Sequence, residues 1–131
     1  GMLMSKQLTK HLYIIIHCKT EPGLKGSTEY IDNADEMAKF PRRLRICVDP
    51  LMSRRSQLLT LAHEIVHVKQ FAKGEMKDTR YQDMIKWNKQ YVNHEETSYW
   101  DFPWEIEAYG REYGMYKRYT NHLIEGKIQF N

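Results

Sequence analysis

Two cysteines in 131 residues are too few for a disulfide framework. Cys18 and Cys47 both fall in apolar, strand-like runs. That placement suits a reducing compartment in which each thiol serves as a small core residue; one cross-strand bridge is the alternative. Long apolar runs are also missing. The N-terminal LYIII is too short for a signal-peptide core, and nothing approaches the ~20 residues of a membrane span. The chain therefore reads as soluble, unexported and cytoplasmic, with no membrane partner and with Gly1 before Met2 as an expression remnant. Charge of one sign is scarce as well: the net charge is +3 and the pI about 8.8, without the basic stripe of a dedicated nucleic-acid binder. The densest basic stretches, PRRLR (41–45) and SRR (53–55), read as a solvated rim. There is no internal repeat, low-complexity tract or linker.

What is present is ordinary for one domain spanning residues 1–131, with 41% hydrophobic and 28% charged residues. A chain of this length buries enough surface to hold a core without a metal, so a bound metal would serve chemistry. HLYIIIHC (11–18) reads as a buried strand, residues 20–27 as a loop, STEYI as a short strand, and ADEMAKF as a turn or two of helix ended by Pro41. RLRICVD (43–49) alternates charged with apolar residues, the pattern of a strand with one face in the core and one in water.

Residues 58–72, LLTLAHEIVHVKQFA, form the clearest helix, capped by Ser53 and stopped at Gly74. Its apolar residues cover more than one face, so it should be largely enclosed. Residues 75–102 lose periodicity but gather tyrosine and tryptophan, predicting either a lid over a cleft or a satellite core under a long connection. A last helix is signalled by Asp101 as cap, Pro103 and the acidic Glu105 and Glu107, and runs through Tyr119.

The enclosed helix carries His63, Glu64 and His67. Histidines four apart share a helix face, so both imidazoles reach one ion without distorting the backbone. Zinc accepts such nitrogens in tetrahedral geometry, and a catalytic site keeps a position for water. Glu64 sits at the flank of that face, where its carboxylate can take the proton of that water. Chance would supply this pattern about 0.02 to 0.03 times in such a chain, and uncompensated burial of three ionisable groups is costly. A third ligand is required, and the candidates are Glu105 and Glu107. These lie about 200° apart around a helix, so only one can face the ion. His94 reads as a surface residue. Tyr99, Tyr109, Arg111 and Tyr113 are candidates to stabilise an oxyanion, and the sequence does not rank them.

HEIVH followed downstream by E-x-x-A, here Glu105-Ile106-Glu107-Ala108, resembles the zincin metallopeptidases of the gluzincin group, in particular their minimal single-domain members. The resemblance covers about residues 43–73 and 100–115. It implies an α+β fold: a small, mostly antiparallel sheet, its edge strand preceding the active-site helix, with a second helix carrying the third ligand. It implies His63, His67 and Glu105 as ligands of Zn2+ and Glu64 as general base of a zinc metallopeptidase that hydrolyses peptide or amide bonds in a peptide or protein substrate. Many members carry Asp or Asn four residues after the ligand glutamate to support a histidine; this chain has Tyr109, whose hydroxyl is the available substitute. RLRICVD is the expected strand for pairing with an extended substrate. The competing readings are a catalytically silent zincin-like binding or regulatory module, and a basic adaptor for nucleic acid or an acidic partner.

Overall fold

A computed structural model describes residues 3–20, 23–31, 40–79 and 81–124. The fold is α+β, with two three-stranded sheets and, among the described residues, three α-helices. In order these are α1 (Lys6–Lys10), β1 (Tyr13–Cys18), β2 (Gly26–Tyr30), β3 (Arg43–Val48), α2 (Arg54–Ala72), β4 (Met76–Asp78), β5 (Met84–Trp87), β6 (Gln90–Asn93) and α3 (Pro103–Ile124), with a 3-10 turn at Tyr99–Asp101. The predicted helix in ADEMAKF lies outside the described residues except for Phe40. Among the described residues, no helix is long and apolar enough to cross a membrane.

The first sheet has the order β1-β3-β2 and is mixed: β1 runs parallel to β3 and β2 antiparallel to it. Its centre is β3, whose Leu44 and Ile46 are fully buried and pack with Val48 against Val68 of α2 and Met4 near the N-terminus. Burial of each such side chain contributes about 1.5–3 kcal/mol. This corrects two expectations. The strand before α2 is central, not an edge, so both sides of its backbone are already paired. HLYIIIHC itself supplies an edge strand, with Tyr13 and Ile16 more than half exposed while Leu12 and Ile14 pack against the core. Cys18 at its end is exposed and not a core residue, Cys47 is buried, and both thiols are free.

Helix α2 begins where the sequence predicts, with the Ser53 hydroxyl accepting the Ser56 N–H. It ends in a Schellman arrangement: Gly74 N–H donates to the Phe71 carbonyl and Glu75 N–H to the Gln70 carbonyl, with Gly74 at φ +71°. The Arg42 guanidinium donates to the Ala72 carbonyl at 2.7 Å, so one member of the basic stretch caps a helix end.

Within residues 75–102, β4, β5 and β6 form an antiparallel meander that the sequence does not predict. Its β5–β6 turn is closed by Asn88 and Lys89, both at positive φ. Some of the rings pack together as a satellite core does. Trp87 packs on Trp104, which stacks on Phe102, whereas Tyr81, Tyr91, Tyr99 and Trp100 are largely exposed. Helix α3 starts at Pro103 as predicted, but Asp101 is not its cap. Asp101 closes the preceding 3-10 turn, and the Phe102 carbonyl accepts the N–H groups of Glu105 and Ile106. The helix also continues past Tyr119 to Ile124, with Gly110 and Gly114 on its exposed side.

Candidate metal centre

The principal helix pairing, α2 against α3, builds the site. His63 and His67 lie one turn apart on α2. They face Glu105, in the first turn of α3, where the N-terminal end of the helix favours a carboxylate. All three residues are buried. His63 Nε2 is 2.9 Å from Glu105 Oε1 and His67 Nε2 is 3.2 Å from Oε2. A ligand atom of each lies within 4.8 Å of the others, a group able to hold a metal ion. Glu107 points elsewhere: its carboxylate accepts from Lys69 at 2.6 Å, from Gln70 at 2.9 Å and from Arg111 at 3.0 Å.

The outer nitrogens of both imidazoles are also held. His63 Nδ1 is 3.0 Å from Glu112 Oε2, and His67 Nδ1 is 2.7 Å from Gln70 Oε1. The amide of Gln70 is oriented by donation from its Nε2 to the Trp104 carbonyl and to Glu107. Both Nδ1 atoms therefore meet acceptors and carry protons, which aims the Nε2 lone pairs at the carboxylate of Glu105. Three electron-rich groups converging on one point need positive charge between them, supplied by protons or by a metal ion.

Electrostatics without a metal follow from this. Burial pulls both histidines towards the neutral form, but the hydrogen bonds to Glu105, with neighbouring carboxylate charge, prevail, and both pKa values are raised. Glu105 is opposed by burial too, yet the two histidines hold it down to about 2. Glu64 moves the other way: burial raises its pKa, against the pull of His67, the Thr28 hydroxyl and His63. The Thr28 hydroxyl donates to Glu64 Oε1 at 2.7 Å. Strand β2 lies so near α2 that a Cβ on Gly26 would sit 2.5 Å from Thr60 Cγ2 and 2.9 Å from the Cys47 carbonyl oxygen.

The side chain four residues after Glu105, Tyr109, does not take the supporting role at a histidine nitrogen. Its ring packs edge-on to His63 with centroids 4.5 Å apart, and its hydroxyl meets that of Tyr99. Glu112, one turn further along α3, supports His63 instead. Glu112, Gln70, Thr28 and Lys69 are not among the residues to which the sequence points. A spacing of seven from Glu105 to Glu112 on one helix face was the available signal for the first. Of the candidate oxyanion donors, Tyr99 reaches Glu105 Oε1 at 3.1 Å, Arg111 is engaged with Glu107, and Tyr113 is exposed beside Tyr116. His94 is half-buried, bonded to the Gln82 carbonyl and not part of the cluster.

Two cavities flank the cluster. One of about 490 Å³ lies between the start of β2 and the rings of Tyr99, Trp100 and Tyr109. The other, of about 270 Å³, lies between β2 and the second sheet. His63, Glu64 and Tyr99 border both.

No protein-family model, curated protein or solved structure matches this chain. The chemistry of the site thus rests on its own geometry.

Proposed function

We propose that the protein is a zinc-dependent hydrolase of peptide or amide bonds with a zincin-like, gluzincin-type centre, in which His63, His67 and Glu105 hold the ion and Glu64 is the general base. The observation that carries this reading is the convergence of two imidazole Nε2 atoms on one carboxylate, with a further buried carboxylate, Glu64, at the edge of the same cleft. The donors fit zinc: two nitrogens and one oxygen are a catalytic set, whereas structural sites close all four positions with protein ligands. Among the described residues the cluster stops at three. When bound, the ion polarises a substrate carbonyl and makes water at the site more acidic.

The protein's own groups account for the proton transfers. Thr28 holds Glu64 Oε1, which leaves Oε2 to take the proton of the attacking water and return it to the departing amine. The raised pKa of Glu64 makes it a stronger base than an exposed carboxylate. The Tyr99 hydroxyl borders both cavities and turns its one proton from Glu105 to the developing oxyanion; burial and the Tyr109 hydroxyl push its pKa up and keep it protonated.

With β3 paired on both sides, an extended substrate pairs with β2 instead. The bonds Asp49 N–H to the Lys25 carbonyl and Ile31 N–H to the Arg43 carbonyl assign the odd-numbered residues of this segment to β3. The backbone groups of Gly26 and Thr28 are thereby turned towards the cleft.

Hydrolysis of casein or a peptide library by zinc-loaded wild type and Glu64→Gln tests the reading. The account expects a fall of about 10²-fold or more in the variant. Equal rates remove Glu64 from the mechanism, and an ion bound without turnover in either protein favours a silent binding module.

A further inference from the structure

The smaller cavity differs from its surroundings in one respect. It joins the metal cluster, His63, His67 and Glu105, and the carboxylate of Glu64 to the apolar side chains of Phe71, Met76, Ile85 and Trp104, and it is bordered at its exposed rim by Asp78, at the end of β4. Every carboxylate packed around the centre other than the proposed base has a basic partner: Glu105 has the two histidines, Glu112 has His63, Glu107 has Lys69 and Arg111, and Glu75 has Lys69. Asp78 has none among the described residues. Its Oδ2 accepts the Tyr30 hydroxyl at 2.6 Å, and Tyr30 is fixed by edge-on packing on Phe71. The acid is therefore held in place by a neutral donor, with Oδ1 left for a ligand.

On the reading given above, we propose that this cavity is a specificity pocket for a lysine or arginine side chain of the substrate, and that Asp78 is the residue that selects it. The apolar side of this cleft lies between the metal cluster and Asp78, the order in which a side chain next to the scissile bond would meet them. Lysine and arginine lay an aliphatic stem along apolar surface and place the charge at its end. The walls meet the stem, and the Asp78 carboxylate meets the charge with a hydrogen bond stronger than a neutral pair makes. The opening beside Gly26 and Thr28 admits the side chain from a peptide paired along β2, whose residues alternate between the two faces of the strand.

The test uses zinc-loaded full-length protein carrying Glu64→Gln, so that binding is read without turnover. The probes are peptide mixtures randomised at all but one position, that position being walked along the peptide and set to lysine, arginine, norleucine or glutamate. At one position lysine and arginine should bind about tenfold or more tightly than norleucine, and glutamate most weakly. Adding Asp78→Asn, which keeps the shape and the Tyr30 hydrogen bond, should bring the lysine-to-norleucine ratio close to one. A circular dichroism spectrum like that of the parent shows the variant folded. No basic preference at any position, or a preference that survives Asp78→Asn, overturns the proposal. Hydrolysis of the same mixtures by wild type tests the peptidase reading separately: a basic preference in binding without turnover leaves the pocket and removes the hydrolase, and turnover without the preference does the reverse.

Discussion

Gln70 Oε1 lies 2.7 Å from His67 Nδ1, and the same amide donates to the Trp104 carbonyl and to Glu107. One fully buried side chain thus ties the second histidine of α2 to the first turn of α3 and decides which nitrogen of His67 faces the centre. Gln70→Leu should lower zinc affinity about 10–100-fold, as loss of a ligand-orienting partner commonly does. It should also cost about 1–3 kcal/mol of stability through the acceptors left unpaired. Chelator competition and denaturant unfolding give the two numbers; an unchanged affinity would mean that His67 needs no orientation.

The same reasoning applies to His63 through Glu112. Glu112→Gln keeps an oxygen acceptor near Nδ1 and should reduce zinc affinity less than Glu112→Leu does. Equal losses in the two variants would show that the charge of Glu112, not its acceptor oxygen, matters.

The pH dependence of the metal-free protein follows from the directions of the shifts. The raised pKa values of His63 and His67 stabilise the fold fully below about 6.5, and that contribution is lost as pH rises through their folded values. Glu105, lowered from 4.5 to about 2, stabilises above about 4.5 and loses its contribution as pH falls towards 2. The chelated protein should therefore be most stable between about pH 4.5 and 6.5, so far as these three groups set the profile. Zinc competes with protons for the histidines, so the gain in Tm on adding zinc should grow from pH 6 to pH 8. A gain that shrinks over that range would place the ion away from the imidazoles.

Gly26 sets how close β2 comes to α2. Gly26→Ala places a methyl group against the Thr60 side chain and the Cys47 backbone carbonyl, and the backbone cannot move aside cheaply. A loss of about 1–3 kcal/mol is expected, together with weaker peptide binding because β2 moves away from Glu64. Unfolding curves and peptide titrations superimposable on wild type would show that the strand has room.

The parts of this molecule legible in its sequence are those governed by local rules. The extent of α2 follows from Ser53, Gly74 and a run of apolar residues, and the start of α3 follows from Pro103. The pairing of His63 with His67 needs only the pitch of a helix. What was not legible depends on partners distant in the chain. Alternation in RLRICVD says that one face is buried but not that β1 and β2 flank the strand, so it does not correct the edge position that the resemblance implies. The apolar run of β1 looks fully buried because nothing in its composition reveals that one face lacks a cover. The meander at 76–93 escaped notice because its strands have three or four residues and its tight turn uses Asn88-Lys89, with lysine where glycine is the usual signal. In the site, helix pitch alone does not choose between Glu105 and Glu107. Lys69, itself buried on α2, separates them by engaging Glu107.

The central claim is that His63, His67 and Glu105 together hold one divalent ion. Its most direct test is the metal content, by plasma mass spectrometry, of wild type, Glu105→Ala and Glu107→Ala after zinc loading and dialysis. The account predicts one zinc per chain in wild type, none in Glu105→Ala, and retention in Glu107→Ala. Wild type without metal, or zinc lost from Glu107→Ala but kept by Glu105→Ala, would contradict it.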